Sequence, residues 1–260
     1  MAVTTQQVGG TQVSCLRDGG MVFGDKVFAA LDTETRAARL AAAGLDAVRT
    51  DFNAYVLRHA DGSVDLVDTG CGTQFGDQGG ALTGALAEMG IAPETVDRIL
   101  FTHLHGDHAG GALNGQGAAF PNAEIVLHSA EAAHWRGQDK PGGQVLAVYD
   151  RVRLVEDGAD LGHGIRLWHL PGHTPGHCGL RIGSNLVLVG DIVHSEALQL
   201  PQPALRPMFD VDPAQAAASC TAALTEIADG GLVWSGSHML GPDKFARLVR
   251  DGAGFRRQPV

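Results

Sequence analysis

Thr102-His103-Leu104-His105-Gly106-Asp107-His108 follows directly on the apolar run Arg98-Ile99-Leu100-Phe101. That run has the length and branching of a buried strand, so the histidines and the aspartate stand where a strand ends and a tight loop begins. Imidazole and carboxylate donors suit zinc or a similar first-row metal ion, and a strand end closing into a loop can gather them on one point. Isolated histidines need no special explanation. Four such donors within six residues are hard to account for as a solvated polar loop.

Other segments repeat the arrangement. Val64-Asp65-Leu66-Val67 leads to Asp68, and Leu167 to Leu170 leads through Pro171-Gly172 to His173. Leu186 to Gly190 leads to Asp191, and Leu232 to Trp234 leads to His238. Strands that end at one sheet edge present their loop residues to a shared cleft, so this recurrence points to a single site. Further strands are predicted at Gln12–Leu16, Asn53–Arg58, Glu124–His128 and Ile165–Leu170, with an Asp61-Gly62 hairpin turn after the second. Helices are predicted from Gly80 to Met89 before Gly90, and from Ser129, as the cap, through Trp135. Asp212-Pro213 opens another that runs to about Ala228, and Pro242–Arg250 reads as a short final helix.

The 260 residues are 44% hydrophobic and 18% charged, enough to bury a full core, and no linker or repeat divides them. We therefore expect a single domain spanning 1–260. The net charge of −10 argues against a nucleic-acid or anionic-membrane partner, both of which need clustered Lys and Arg. No apolar run reaches the length of a membrane-spanning helix. Met1 to Gly10 shows neither the basic nor the apolar region of a secretory signal. Cys15, Cys71, Cys178 and Cys220 form no CxxC pair, so free thiols and a cytoplasmic setting are the expectation.

Taken in order, Val67-Asp68-Thr69-Gly70, the Thr102–His108 stretch, Gly172-His173-Thr174-Pro175-Gly176-His177, Gly190-Asp191 and Ser237-His238 resemble the metallo-β-lactamase-fold hydrolase superfamily, from about Asn53 to His238. The resemblance implies an α+β fold, a four-layer αββα sandwich with a binuclear metal site at one edge of its two sheets. It also implies that His103, His105 and His173 hold one ion and Asp107, His108 and His238 the other, with Asp191 bridging. Two divalent ions about 3.5–4 Å apart share a hydroxide whose parent water is acidified from about 15.7 toward 7. Zinc is the expected metal, although manganese, cobalt and iron suit the same donors. Asp107 is a candidate to orient the nucleophile or carry a proton. Asp68 reads as accepting a ring N–H from a ligating histidine. His177 reads as structural, and His59, His128, His134, His163 and His169 as ordinary. His194 occupies a position where acyl-homoserine-lactone lactonases commonly carry a tyrosine that contacts the substrate carbonyl. Donation to a substrate oxygen and simple packing both remain open for it.

Asp191 argues against antibiotic hydrolysis, because true metallo-β-lactamases generally carry cysteine or serine there. Only 22 residues follow His238, too few for the helical region of glyoxalase II. Phe120-Pro121-Asn122-Ala123, Trp135 and Leu16-Arg17-Asp18-Gly19 look like methyl parathion hydrolase-like enzymes. Trp135 is open between a pocket wall and the core, Phe75 and Phe209 are wall candidates, and Pro201 to Pro207 is a candidate rim. The expected function is hydrolysis of a lactone or related neutral ester, a small-molecule substrate, with phosphotriester cleavage as a side activity. Alternatives are a dedicated organophosphate or aryl-ester hydrolase, a mononuclear iron sulfur-oxygenase, and a non-catalytic binding protein. Such relatives are commonly homodimers, and a homodimer is carried as an expectation.

Overall fold

The computed structural model describes residues 3–115 and 117–260. In its first half the strands are β1 (Thr4–Val8), β2 (Thr11–Phe23), β3 (Val48–His59), β4 (Val64–Val67), β5 (Arg98–Leu100), β6 (Leu113–Asn114), β7 (Gly117–Ala118) and β8 (Glu124–His128). They continue as β9 (Val152–Val155), β10 (Asp160–Gly162), β11 (Ile165–His169), β12 (Cys178–Ile182), β13 (Leu186–Leu188), β14 (Val233–Ser235), β15 (Arg247–Asp251) and β16 (Gly254–Gln258). The helices are α1 (Thr33–Ala42), α2 (Leu82–Glu88), α3 (Gly106–Ala109), α4 (Ser129–Trp135), α5 (Pro141–Val148), α6 (Glu196–Gln199) and α7 (Pro213–Asp229).

One sheet has the order β1-β2-β3-β4-β5-β8-β9, and a second has β10-β11-β12-β13-β14. Successive residues of a strand face opposite sides, and both sides of these strands are apolar. Val13, Tyr55, Val67, Leu100 and Val126 meet Leu167, Leu180 and Leu188 between the sheets. Their neighbours Val56, Leu66, Ile99 and Ile125 face outward onto Leu82 and Leu86 of α2 and Val145 of α5. On the far side, Val187, Val189 and Trp234 pack against Cys220, Leu224 and Ile227 of α7. Helix, sheet, sheet, helix is the layer order that this double alternation requires.

β4 runs parallel to β5, β5 to β8, and β13 to β14. The carboxyl ends of β4 and β5 therefore share one edge, as do those of β13 and β14. The Asp61-Gly62 turn joins β3 to β4, and Gly62 takes a φ of 91° there. Asp212 caps α7 by accepting from Gln215 N. The four cysteines are free and buried. Among the described residues no helix is long and apolar enough to cross a membrane.

Three local expectations change. Pro242–Arg250 is not a helix: Ala246 pairs antiparallel with Trp234, and β15 forms a hairpin with β16. Leu248 alternates with flanking half-buried residues, which is strand periodicity, and Gly252 turns the hairpin at φ 57°. The cap of α4 is His128, whose Nδ1 accepts from Ala130 N, while Ser129 is already helical. β2 runs to Phe23, well past Leu16, and carries a bulge between Arg17 and Gly19.

That bulge turns the Asp18 carboxylate inward, where it accepts from the backbone N–H groups of Cys71, Gly80 and Leu82 at 2.8–2.9 Å. The loop after β4 wraps so closely around it that a Cβ at Gly70 would lie 2.3 Å from Asp18 Cγ. Asp18→Ala strands three N–H donors, so urea unfolding should show a loss of about 3–5 kcal/mol, each unsatisfied donor costing about 1–3 kcal/mol. A loss below 1 kcal/mol would mean that water replaces the carboxylate.

Candidate metal centre

The loops that follow β4, β5, β11, β13 and β14 converge. Asp68 leaves β4 in the left-handed region, with φ 58°. Its carboxylate accepts from Thr102 N at 2.8 Å, from Thr102 Oγ1 at 2.7 Å and from His108 Nδ1 at 2.8 Å. One buried side chain thus fixes the end of β5 and the helix α3 that follows it. His173 arrives through Gly172, at φ 125°, where a Cβ would sit 2.1 Å from Ala216 N. Asp191 arrives through Gly190, at φ 54°, where a Cβ would sit 2.5 Å from His177 Nε2. Only glycine allows either approach.

Hydrogen bonds on the outer side of the rings set which nitrogen faces inward. His108 Nδ1 donates to Asp68, His173 Nδ1 to Asp210 Oδ1 at 2.7 Å, and His238 Nδ1 to the Asp51 carbonyl at 3.0 Å. His103 Nδ1 lies 3.1 Å from Thr102 Oγ1, whose own proton is committed to Asp68. These outer bonds leave the Nε2 atom of each of the four rings facing into the site, and they select the tautomer that a metal-ligating imidazole uses.

The inward atoms crowd one another. His103 Nε2 and His173 Nε2 stand 3.1 and 2.9 Å from His105 Nδ1. His238 Nε2 is 2.9 Å from Asp191 Oδ2. His108 Nε2 and Asp191 Oδ1 are buried without a hydrogen-bond partner. The donor atoms of His103, His105 and His173 lie within 4.8 Å of one another, as do those of Asp107, His108, Asp191 and His238. His105 Nδ1 can donate to only one of the two Nε2 atoms beside it, so at least one pair of buried lone pairs faces itself, which is unfavourable unless a cation lies among them. The two groups have the donor chemistry and spacing for two divalent cations.

The electrostatics divide in the same way. Burial pushes His103 and His173 well below the usual imidazole value and His105 down to about 4. Burial also opposes charge on His108 and His238, but Asp191 and Asp107 outweigh it and raise both. Asp107 and Asp191 are themselves held ionised, with His108 overcoming the cost of burial. One half of the site is a neutral imidazole trio and the other a carboxylate–imidazole cluster.

A match to the family model described as the metallo-beta-lactamase superfamily spans residues 51–232. The chain belongs to the metallo-β-lactamase superfamily. It is 30% identical over 147 residues to an N-acyl homoserine lactonase of Bacillus sp, covering 49% of this chain and 56% of the relative. The chain thus spans about half the length of the curated relatives it matches. A crystal structure of the hydrolase AbOPH superposes with a TM-score of 0.92 at 27% identity, over 100% of this chain and 97% of that one. AidC, a dizinc quorum-quenching lactonase, superposes over the same shares with a TM-score of 0.92 at 22% identity, a likeness of fold.

In this superfamily member the clustered side chains border a cleft of about 480 Å³ walled by Phe23, Phe52, Phe75 and Phe209. Phe75 and Phe209 were legible as wall candidates, whereas Phe23 and Phe52 were not. Trp135 is not part of the wall. It is buried, lies edge-on to His105 with ring centroids 5.5 Å apart, and donates Nε1 to Glu131 at 2.6 Å. Pro201 to Pro207 does not rim the cleft either, and from that region only Phe209 reaches it. His177 is structural: it donates Nδ1 to the Leu170 carbonyl and accepts Asp191 N at Nε2. His194 lines the cleft, stacks on His238 at 4.8 Å and places Nε2 3.3 Å from Asp191 Oδ2. It also groups with His173 and Asp191 as possible metal donors.

Two supports carried no sequence signal. Glu131 accepts from Leu104 N, Trp135 Nε1, Thr174 Oγ1 and Gly176 N, joining the two histidine loops. Asp210 holds His173 and pairs with buried Arg206, whose Nε donates at 2.7 Å. Asp210→Ala would leave Arg206 buried and uncompensated, so a stability loss of about 3–5 kcal/mol is expected in urea unfolding. An unchanged midpoint would show that Arg206 finds another acceptor.

Proposed function

We propose that this chain is a binuclear metal-dependent hydrolase that opens a lactone or cleaves a related neutral ester. The observation that carries the reading is the convergence of inward-facing imidazole nitrogens and ionised carboxylates beside an apolar cleft. We assign His103, His105 and His173 to one cation and Asp107, His108 and His238 to the other, with Asp191 facing both. Bound divalent cations, zinc first among them, would supply the Lewis acidity that makes water nucleophilic near neutral pH and polarises the acyl oxygen.

The chain's own groups do the rest. Four phenylalanines exclude water and hold the apolar part of the substrate. No Lys or Arg lines this cleft, which suits an uncharged substrate and disfavours a nucleic acid or other polyanion. Asp107 faces the cleft. Its carboxylate takes the proton released by the attacking water and returns it to the leaving oxygen, so the acyl C–O bond breaks as the new one forms. His194, on the same wall, steadies the substrate oxygen from its ring N–H. Its backbone N–H and that of Ser195 are fixed by Gln199 Oε1 at 2.7 and 3.0 Å, which keeps the ring in place. The aromatic pairs Phe23–Phe209 and Phe52–Phe75, at 5.4 and 5.7 Å between centroids, favour an aryl ester or aryl phosphotriester as the second reading.

Reconstituted protein is expected to hydrolyse a neutral γ-lactone faster than an aryl phosphotriester, and both faster than a β-lactam. His105→Ala should cost more than the roughly 10–100-fold typical of removing a group behind a metal ligand. Phosphotriester turnover in the lead would make the aryl reading primary, and lactone turnover untouched by His105→Ala would sink the site. Metal binding has its own readout. Zinc at a hundred times its dissociation constant should add about 2.7 kcal/mol of stability per site. Chelator should reverse the gain, and a melting temperature indifferent to both would count against the assignment.

A further inference from the structure

A second cavity, of about 540 Å³, lies behind the cleft between the end of α1, the segment Ser195–Pro201 and the β15–β16 hairpin. His238 lines both cavities and is the wall between them. Leu45, Leu200, Leu240 and Phe255 make its interior apolar. Four arginines line it against two carboxylates, Glu196 and Asp251.

The arginines are not equivalent. Arg257 lies 3.0 Å from Glu196, Arg256 3.8 Å from Asp251, and Arg49 2.8 Å from Asp46. Arg39 alone of the four has no carboxylate within ion-pair distance among the described residues. Its guanidinium is half-buried and is held by neutral acceptors, the Leu198 carbonyl at 3.2 Å and Gln202 Oε1 at 3.0 Å. A positioned cation without a counter-charge, at the side of an apolar cavity, has the chemistry to take an anion with a hydrocarbon body. The catalytic cleft has the opposite character, with two carboxylates and no lysine or arginine.

We propose that this cavity binds an amphipathic carboxylate, such as a medium-chain fatty acid, with the carboxylate on Arg39 and the chain against Leu45, Leu240 and Phe255. The occupant touches His238 from behind and the segment that begins one residue after His194, so it bears on two side chains of the cleft without entering it. Binding here does not depend on what reaction the cleft performs.

Decanoate, below its micelle concentration, is the probe, titrated calorimetrically into the full-length protein. Arg39→Met keeps an unbranched apolar stem and removes the guanidinium with its charge, and should weaken binding at least about tenfold, the loss of one charge-assisted contact. Ala42 is exposed at the cavity wall, so Ala42→Phe fills the space without disturbing the core and should abolish binding. His105→Ala, in the cleft, should bind as the wild type does. Both cavity variants should retain wild-type turnover when no decanoate is present. Absence of decanoate binding would overturn the assignment, as would binding lost in His105→Ala but kept in Arg39→Met and Ala42→Phe. Dimerisation of the wild type that both cavity variants abolish would also overturn it, because the occupant would then be a second copy.

Discussion

The hydrogen bonds of Asp68 hold together what the rest of the site needs. Its carboxylate is buried, its backbone sits in the left-handed region at φ 58°, and its oxygens bind Thr102 twice and His108 once. A non-glycine residue in that region is strained by about 1–3 kcal/mol, and the strain persists because three hydrogen bonds over-determine the conformation. In exchange, the end of β5 and the start of α3 are locked to the end of β4. The residues between Thr102 and His108 have no freedom to turn His103 or His105 elsewhere.

The same logic extends outward in rings. Glu131 ties the loop bearing His103 and His105 to the loop bearing His173 through Leu104, Thr174 and Gly176. His177 ties the His173 loop to the backbone of Asp191. Asp51 reaches His238 through its carbonyl and Lys244 through its side chain at 2.7 Å, joining β3 to the loop after β14. Each support is buried and each acceptor is filled, which is the condition under which a polar network rigidifies a structure. The two glycines at 172 and 190 matter for the same reason. They let the loops come within a side chain's width of α7 and His177, and any Cβ there would push His173 or Asp191 out of register.

What the sequence made legible follows this division between local and non-local physics. Donors that follow a strand within one to three residues, such as Asp68, His103, Asp191 and His238, announce themselves because the strand pattern and the donor lie in one window. The αββα layering is legible less directly, through motif order. Glu131 and Asp210 were invisible because a lone carboxylate in a helix or a loop looks solvated until its partners, three of the four lying 27 to 45 residues away for Glu131, are placed around it. The final segment was misread for a related reason. Lys244 to Arg250 satisfies helical spacing about as well as strand alternation, and only the pairing of Ala246 with Trp234 decides between them. Trp135 shows the limit from the other side. The sequence left this tryptophan open between a substrate wall and the core, and what decides is that its indole N–H needs an acceptor once buried, which Glu131 supplies in the core.

Two facts about charge then fit together. The cleft side of His238 presents two ionised carboxylates and no lysine or arginine, and the far side presents four arginines against two carboxylates, with Arg39 paired to neither. A single imidazole, fixed by the Asp51 carbonyl, stands between regions of opposite sign. Its ring cannot swing toward either cavity without breaking that bond and its 2.9 Å contact with Asp191. The position of His238 is therefore set by long-range pairing across the chain, from β3 at one end to the loop after β14 at the other. The cleft is preorganised by the fold as a whole, and no one loop carries it.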